Sequence, residues 1–363
     1  MKTQLYKYIV FAFLLPVLIF ANNGKKMNGK YTKEKTITKE FSVASDALLK
    51  VSNSYGVVHM TSWDKNTVAI EVVIKTNGDS ADKVSERLGQ IDVDFNNTQS
   101  MVNASTRFGK NKAKSWWKWN KRNKVNVTVN YTIKFPKGNE VNVSNDYGSI
   151  FLNRAENKVS LNIDHGTMEI GELLADDNSL NFDYTNNVTI AYMKSGRINA
   201  DYSSFTVNNA ENIELNADHT KSQFGTISYI EYNCDYNILQ IEQAYNVKGS
   251  GDYLSLRLGG ISGNLDLTAD YGSIKIEEMT DDAGDIRIES ELATIKIGYN
   301  AQYNFNFKLN LEYTSLKGYE DFTMNKKRVE SKERYYEGFH RDKTSGNNVH
   351  INSEYGSIRF EKL

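Results

Sequence analysis

The sequence predicts an all-β protein: a single-stranded β-solenoid of coils of about 18 residues, with an N-terminal capping region that contains one short helix. Two observations predict this fold. Apolar and polar residues alternate through most of the chain, and a pair formed by Asp and then Tyr or His recurs at intervals of 17 to 19 residues. The eight regular copies of the Asp are Asp146, Asp164, Asp183, Asp201, Asp218, Asp235, Asp252 and Asp270.

Each repeat has the same apolar pattern around its acidic residue. Ile150 and Leu152 lie four and six residues after Asp146, and the residues before each Asp alternate in the same way. Alternation with a period of two places the apolar side chains on one face of a strand. The Asp-Tyr-Gly-Ser type segment between the two strands has the residues of a tight turn. Each unit is therefore predicted to be strand, turn, strand and loop.

Two arrangements could bury these apolar faces. The units could stack in parallel, about 4.8 Å apart, or each could form an antiparallel hairpin in a meander. Stacking requires the same residue type at the same position of every unit, because equivalent positions lie above one another. The repeat meets that requirement, and 41 Asn residues suit ladders of amide hydrogen bonds along the axis. Both observations favour the solenoid.

Residues 1–21 have the features of a secretory signal peptide. Lys2 and Lys7 precede an apolar run of twelve residues that ends at Phe20, and Ala21 follows it. The run is shorter than the roughly 20 residues of a membrane span, although an uncleaved anchor is the alternative. We therefore expect an exported protein of the periplasm, the cell surface or the medium, without a transmembrane segment after cleavage.

The rest of the chain divides into three predicted parts. Residues 22–140 form the cap and a first coil, with a helix over residues 80–90 that Ser80 would cap. Residues 141–318 form the regular solenoid repeats. Residues 319–363 form a projecting loop or hairpin and a final coil.

A basic segment rich in Trp interrupts the cap between residues 106 and 124. It has eight Lys or Arg residues and no acidic residue. Indole faces beside cations suit an envelope glycan, an anionic surface or a membrane interface. The alternative is that the Trp side chains only cover the end of the solenoid. The candidate ligand-binding residues are Trp116, Trp117, Trp119, Lys114, Lys118 and Arg122.

The sequence predicts no catalytic residue, no metal site and no cofactor. Cys234 is the single Cys and occupies a position that other repeats fill with Ala, so we expect a buried thiol. The five His residues lack the spacing of metal ligands, and common nucleotide-binding and hydrolase motifs are missing. A net charge of −1 gives no field that would attract nucleic acid. The row of Asp residues needs either backbone N–H donors or bridging calcium to offset its repulsion.

The chain resembles a bacterial "putative adhesin" domain family of unknown function, whose members are exported proteins of Bacteroidetes-like organisms. The resemblance covers nearly the whole mature chain and implies an exported β-solenoid without catalytic residues. The basic segment departs from the family in its length and charge. The matching segments, besides the later Asp-Tyr-Gly-Ser copies, are SNSYGVV (52–58), WDKN (63–66), VNYTIKFPKG (129–138) and SNDYGSI (144–150).

These observations predict a non-enzymatic envelope protein that acts as an adhesin-like scaffold or binding surface. One alternative is a polysaccharide-active β-helix enzyme, which requires a break in the repeat where carboxylates converge. Another is a regulatory envelope protein that binds a second protein. The Tyr residues of the repeat form either an exposed binding surface or a ladder that covers the core. They are Tyr147, Tyr184, Tyr202, Tyr236, Tyr253 and Tyr271.

Overall fold

The computed structural model describes residues 27–109 and 125–363. These residues form 27 strands and one short helix, which confirms the prediction of an all-β protein with one helix. All the strands belong to one hydrogen-bonded sheet. Within the described residues, no helix is both long enough and apolar enough to cross a membrane. The predicted signal peptide lies outside the described residues and stays a prediction.

Seven strands and the helix precede the regular repeats. They are β1 (Tyr31–Ser42), β2 (Leu48–Ser54), β3 (Val57–Trp63), β4 (Thr67–Gly78), α1 (Ala81–Gly89), β5 (Ile91–Thr98), β6 (Met101–Phe108) and β7 (Asn126–Pro136). β4 pairs with β1 and β7 in antiparallel fashion, and β5 pairs with β6 in the same way. β6 and β7 then pair in parallel with β2 and β3. This region therefore joins antiparallel strands to a first parallel unit, β2–β3.

The helix α1 lies close to its predicted position, but one detail of the prediction is wrong. Ser80 occupies the N-cap position, yet its side chain makes no capping hydrogen bond. Val84 is fully buried, and its carbonyl accepts a hydrogen bond from Thr76 Oγ1 at 3.0 Å. Packing of this one face against β4 therefore holds the short helix in place, rather than a side-chain cap.

Fourteen strands form the regular repeats. They are β8 (Glu140–Asp146), β9 (Ser149–Ala155), β10 (Val159–Asp164), β11 (Thr167–Leu173), β12 (Asn178–Asp183), β13 (Val188–Asp201), β14 (Ser204–Asp218), β15 (Lys221–Asp235), β16 (Ile238–Asp252), β17 (Ser255–Ile261), β18 (Leu265–Asp270), β19 (Ser273–Met279), β20 (Ile286–Glu291) and β21 (Thr294–Tyr299). Equivalent strands of successive units pair in parallel, so Asp164 lies opposite both Asp146 and Asp183. The antiparallel hairpin alternative is therefore wrong for this region.

Six strands complete the sheet. They are β22 (Phe305–Glu312), β23 (Ser315–Lys317), β24 (Thr323–Glu330), β25 (Glu333–His340), β26 (Asn348–Glu354) and β27 (Ser357–Lys362). β26 and β27 pair in parallel with β20 and β21 on one side and with β22 and β23 on the other. The hairpin β24–β25 pairs with β22 in antiparallel fashion. Charged residues on the exposed strand β24 disfavour pairing with another chain.

The core is one continuous cluster of inward-pointing apolar side chains. Equivalent positions stack along the axis, as the pairing of Leu215 with Ile198 and Tyr232 shows. Cys234 is fully buried opposite Ala217, as predicted. Burial raises the pKa of its thiol to about 12, which keeps the sulfur protonated and unreactive.

Candidate functional site

One edge of the molecule carries a row of twelve residues, one from each unit, at the turn between the two strands. We call this row the aromatic ladder. In all units but the last, the backbone N–H of the ladder residue donates to the carbonyl of the acidic residue in the next unit, as Tyr236 does to Asp252 at 2.9 Å. In spatial order the ladder is Tyr55, Tyr147, His165, Tyr184, Tyr202, His219, Tyr236, Tyr253, Tyr271, Leu292, Tyr355 and Tyr313.

All twelve ladder residues have a left-handed backbone conformation. Their φ angles lie between 48° and 65°. This conformation costs a residue with a side chain about 1–2 kcal/mol, and Gly is the residue that adopts it freely. Nine Tyr, two His and one Leu nevertheless occupy the row. The side chains must therefore contribute something at this edge that Gly cannot supply.

Part of that contribution is stacking between successive rings. Neighbouring ring centroids lie 4.7–5.5 Å apart, with interplanar angles of 5–26°. Such pairs are worth about 0.5–1.5 kcal/mol each, which offsets much of the backbone cost. Phe108 packs edge-on against Tyr55 at one end, and Lys332 Nζ lies 4.8 Å above the ring of Tyr313 at the other.

The ladder is exposed and does not form a buried layer. The Tyr side chains are between 36% and 55% exposed, the extremes being Tyr55 and Tyr236. Because the ring faces are stacked on one another, solvent meets the ring edges and the phenolic hydroxyls. The ladder therefore presents a hydroxyl-bearing strip with a repeat of about 5 Å.

The acidic residues beside the ladder have backbone partners. The carboxylate of Asp235 accepts a hydrogen bond from the backbone N–H of Asp252 at 2.8 Å, and Asp201 accepts one from Asp218 at 3.1 Å. Burial, and then the neighbouring carboxylate, raises the pKa of Asp183. The described residues contain no group of three or more His, Cys, Asp or Glu that could hold a metal ion. Backbone N–H donors therefore offset the repulsion along this row.

The strands that precede the aromatic ladder carry a row of hydrogen-bonded Asn side chains, the amide ladder, on their outer face. Asn181 Nδ2 donates to Asn162 Oδ1 at 2.9 Å, Asn199 to Asn181 at 2.6 Å and Asn216 to Asn199 at 3.1 Å. The abundance of Asn in the sequence predicts such bonds. They connect four successive units on the outside of the sheet.

The same face holds two neighbouring carboxylates, but they are ion-paired. Glu214 accepts a hydrogen bond from Arg197 at 2.7 Å, and Glu231 accepts one from Lys248 at 2.8 Å. These hydrogen bonds lower the pKa of both carboxyls. A general acid at neutral pH needs a raised pKa, so this pair is unsuited to protonating a leaving group.

The predicted ligand-binding residues lie in residues 110–124, outside the described residues. They are Trp116, Trp117, Trp119, Lys114, Lys118 and Arg122. The segment connects β6 to β7, which flank the first parallel unit at its ladder edge. Phe108, close to its start, has its ring centroid 5.9 Å from that of Tyr55. The role of these six predicted residues in ligand binding stays a prediction.

No family model and no curated protein matches the sequence. Similar solved structures include a "putative adhesin" from Parabacteroides merdae ATCC 43184, which is 8% identical and covers 90% of this chain and 96% of its own, with a TM-score of 0.33. A "putative cell adhesion protein" from Clostridium sporogenes ATCC 15579 is 11% identical, covers 91% of this chain and 100% of its own, and has a TM-score of 0.19. A "Putative lipid binding protein" from Parabacteroides distasonis ATCC 8503 is 12% identical, covers 90% and 96%, and has a TM-score of 0.32. The first two names agree with the family that the sequence resembles, but identities and TM-scores this low assign no function to this chain.

Proposed function

We propose that this protein is a non-enzymatic, exported cell-envelope protein in which a β-solenoid acts as the scaffold of an extended binding surface. The aromatic ladder is the observation that carries the proposal. Gly would form the same turns at a lower conformational cost, whereas this chain keeps aromatic side chains in a strained conformation at an exposed edge. Parallel pairing of equivalent residues supports the solenoid, because it repeats from unit to unit along the sheet.

The proposed organisation has four parts. A signal peptide, residues 1–21, would direct export, and residues 22–140 would form the cap and the first coil. Residues 141–318 would form the regular solenoid, and residues 319–363 would close its other end. The Trp-rich segment would add a second binding element, and Phe108, which precedes it on β6, contacts Tyr55 of the ladder.

The proposal is tested by removing the ladder hydroxyls without disturbing the rings. The variant Tyr202→Phe, Tyr236→Phe, Tyr253→Phe retains stacking, and we expect its melting temperature to stay close to that of the parent. The mature proteins are immobilised, and retention of envelope glycans, lipids and proteins from the producing bacterium is quantified. Tyr245→Phe is the matched control, because Tyr245 is 57% exposed but lies outside the ladder.

The expected result is clear retention by the parent and by the control, with a loss in the ladder variant. A parent that retains no envelope component would contradict the proposed binding role. Equal retention by the ladder variant and the parent would show that the phenolic hydroxyls take no part. Retention of a single protein, rather than glycan or lipid, would favour the regulatory alternative.

A further inference from the structure

Five consecutive units carry a cation at the same position, four residues after the ladder residue. We call this set the cation row. It lies on β17, β19, β21, β27 and β23, which pair with one another in that order, so neighbouring cations are about 4.8 Å apart along the axis. Its members in spatial order are Arg257, Lys275, Lys296, Arg359 and Lys317.

A row of hydroxyls lies between the cation row and the ladder. Its members are two residues before each cation, and residues two apart on a strand point to the same face of a sheet. The surface of these five units therefore has parallel rows of ladder side chains, hydroxyls and cations. The hydroxyl row is Ser255, Ser273, Thr294, Ser357 and Ser315.

The positive charge of this face is only partly compensated. Glu277 pairs with Lys275, and Glu361 pairs with Lys296 and lies 4.0 Å from Arg359. On the strands that follow the ladder, five cations face two carboxylates, which leaves 5 − 2 = 3 positive charges. The five acidic residues of these units directly precede the ladder residues and lie on the other side of the ladder from the hydroxyl row, where the carboxylate of Asp270 accepts a hydrogen bond from the backbone N–H of Glu291. Within residues 27–109 and 125–363, the remaining two members of the row form no ion pair. Unit charges at this spacing repel by about 1 kcal/mol even in water, so a bound polyanion would relieve the repulsion.

We propose that the cation row and the hydroxyl row bind a linear acidic polysaccharide that lies along the axis of the stacked units. Its carboxylate or sulfate groups contact the cations, and its hydroxyls hydrogen-bond with the Ser, Thr and Tyr hydroxyls. This inference rests on the proposed function and names the ligand class of that surface. Five units give a footprint of roughly 20 Å.

The geometry favours a glycan over the other common polyanions. Single-stranded nucleic acids bind by stacking bases on exposed aromatic faces, but most ring faces of the ladder are covered by the neighbouring ring. Membrane surfaces are bound by apolar side chains that enter the lipid, and on this part of the ladder only Leu292 is aliphatic. A row of hydroxyls beside a row of cations matches an acidic polysaccharide, which carries both hydroxyl groups and carboxylate or sulfate groups.

The cation row ends at Arg257, because the equivalent residue of the adjacent unit is a neutral amide. Gln240 occupies the position next to Arg257, and Gln223 donates to it at 2.9 Å. Gln is therefore compatible with the fold at this position. This natural neighbour supplies the substitution for the test, because Gln removes the charge and retains a polar side chain.

The experiment measures binding of the full mature protein to polygalacturonate, with fully methyl-esterified polygalacturonate as the uncharged ligand. The variant Arg257→Gln, Lys317→Gln, Arg359→Gln removes three positive charges from the row. The control Lys158→Gln, Lys194→Gln, Lys248→Gln removes the same charge from earlier units. We expect the row variant to bind polygalacturonate about tenfold or more weakly and the control to bind like the parent. Thermal denaturation should give similar melting temperatures for all three proteins.

Three results would overturn the inference. The parent could bind the esterified polymer as well as polygalacturonate, the control could lose as much affinity as the row variant, or single-stranded DNA could bind the row more tightly at the same salt concentration. If the parent still retains envelope material through its ladder hydroxyls, only this inference fails. If it retains neither envelope material nor polygalacturonate, the proposed function fails with it.

Discussion

At a single ladder position, the backbone and the side chain have opposing preferences. The φ of Tyr236 is 54°, which favours Gly, while its ring stacks on His219 at 4.9 Å and on Tyr253 at 4.7 Å. The two stacking contacts together are worth about 1–3 kcal/mol, similar to the cost of the left-handed conformation. The Tyr therefore costs the fold little and gives it an exposed hydroxyl.

This balance predicts that the Gly variant of Tyr236 is more stable than the Ala variant, which is the reverse of the usual order for these two residues. Tyr236→Ala loses both stacking contacts and keeps the strained backbone, so we expect a free energy of unfolding about 1–3 kcal/mol below the parent. Tyr236→Gly loses the same contacts but relieves the strain, and should be about 1 kcal/mol more stable than the Ala variant. Urea denaturation of both proteins measures the difference. An Ala variant that is more stable than the Gly variant would show that the left-handed conformation is not strained.

A second prediction concerns a polar atom in the core. The Tyr232 hydroxyl is buried and has no hydrogen-bond partner among the described residues. An unpaired buried hydroxyl costs about 1–3 kcal/mol, so Tyr232→Phe should raise the free energy of unfolding by about 1 kcal/mol or leave it unchanged. Thermal and urea denaturation test this. A clear loss of stability would show that the hydroxyl has a partner, such as a buried water.

At the scale of the strand–turn–strand unit, the row of Asp residues is held by backbone donors, and this predicts the effect of removing one charge. Asp235→Asn keeps an oxygen for the N–H of Asp252 and removes one repulsive charge, so stability should be unchanged or up to about 1 kcal/mol higher. Asp235→Ala removes the acceptor and should cost about 1 kcal/mol. Melting temperatures in calcium and in EGTA provide the control. A calcium-dependent rise in the parent that Asp235→Asn abolishes would instead indicate that calcium bridges the row.

Much of each unit could be predicted from the sequence, because the repeat itself determines it. Alternating apolar residues and a turn segment at each Asp identified the strands. Ala at the equivalent position of other repeats indicated that Cys234 points inward, and the abundance of Asn indicated the amide ladder. The left-handed backbone at Tyr was not predicted, because aromatic residues rarely adopt it. The predicted Tyr row had six members, whereas the aromatic ladder has twelve. The other six are two His residues, Leu292 and the three Tyr residues that lie outside the regular spacing, namely Tyr55, Tyr313 and Tyr355.

The cation row was missed for a different reason. Arg359 becomes the neighbour of both Lys296 and Lys317 only because β27 lies between β21 and β23. Sequence spacing predicts stacking in chain order, whereas here a later segment enters between two earlier units. Long-range pairing of this kind leaves no periodic signal in the sequence.

At the scale of the whole molecule, stability should fall at high pH. Burial raises the pKa of Tyr131 from 10.0 to about 12 and that of Cys234 from 9.0 to about 12. Below about pH 8 both groups are protonated in the folded and the unfolded chain. Between about pH 9 and 12 the unfolded chain releases these protons first, so the free energy of unfolding decreases by up to roughly 1.4 kcal/mol per pH unit for each group.

Urea denaturation from pH 8 to 11 tests this prediction. Tyr131→Phe and Cys234→Ala each remove one ionisable group, and each variant should show a shallower decrease than the parent. A free energy of unfolding that stays constant between pH 9 and 11 would contradict it.

Parallel stacking also predicts that a whole unit can be removed. Deletion of residues 202–218 brings β13 next to β15 with Asp201 still opposite Asp235, so the protein should fold to a shorter and somewhat less stable molecule. Deletion of residues 208–215 removes part of one unit and breaks the register of the core. Far-UV circular dichroism and thermal melting distinguish the two. Cooperative melting of both variants, or of neither, would argue against interchangeable units.

The position of β26 and β27 also determines the order in which the molecule can be completed. The backbone groups at one edge of β20 have no partner strand until β26 has been synthesised. The hydrogen bond from the backbone N–H of Asn348 to Asp285 shows the separation, since these two residues are 63 positions apart in the sequence. During synthesis, β22 and β23 emerge before β26 and β27, the strands with which they pair in parallel. Cleavage between β25 and β26, followed by loss of β26 and β27, would therefore leave unpaired strand edges on both sides of the gap, at β20–β21 and at β22–β23. Bare edges recruit strands from other molecules, so a clipped chain would be prone to aggregate, although most of its core would remain intact.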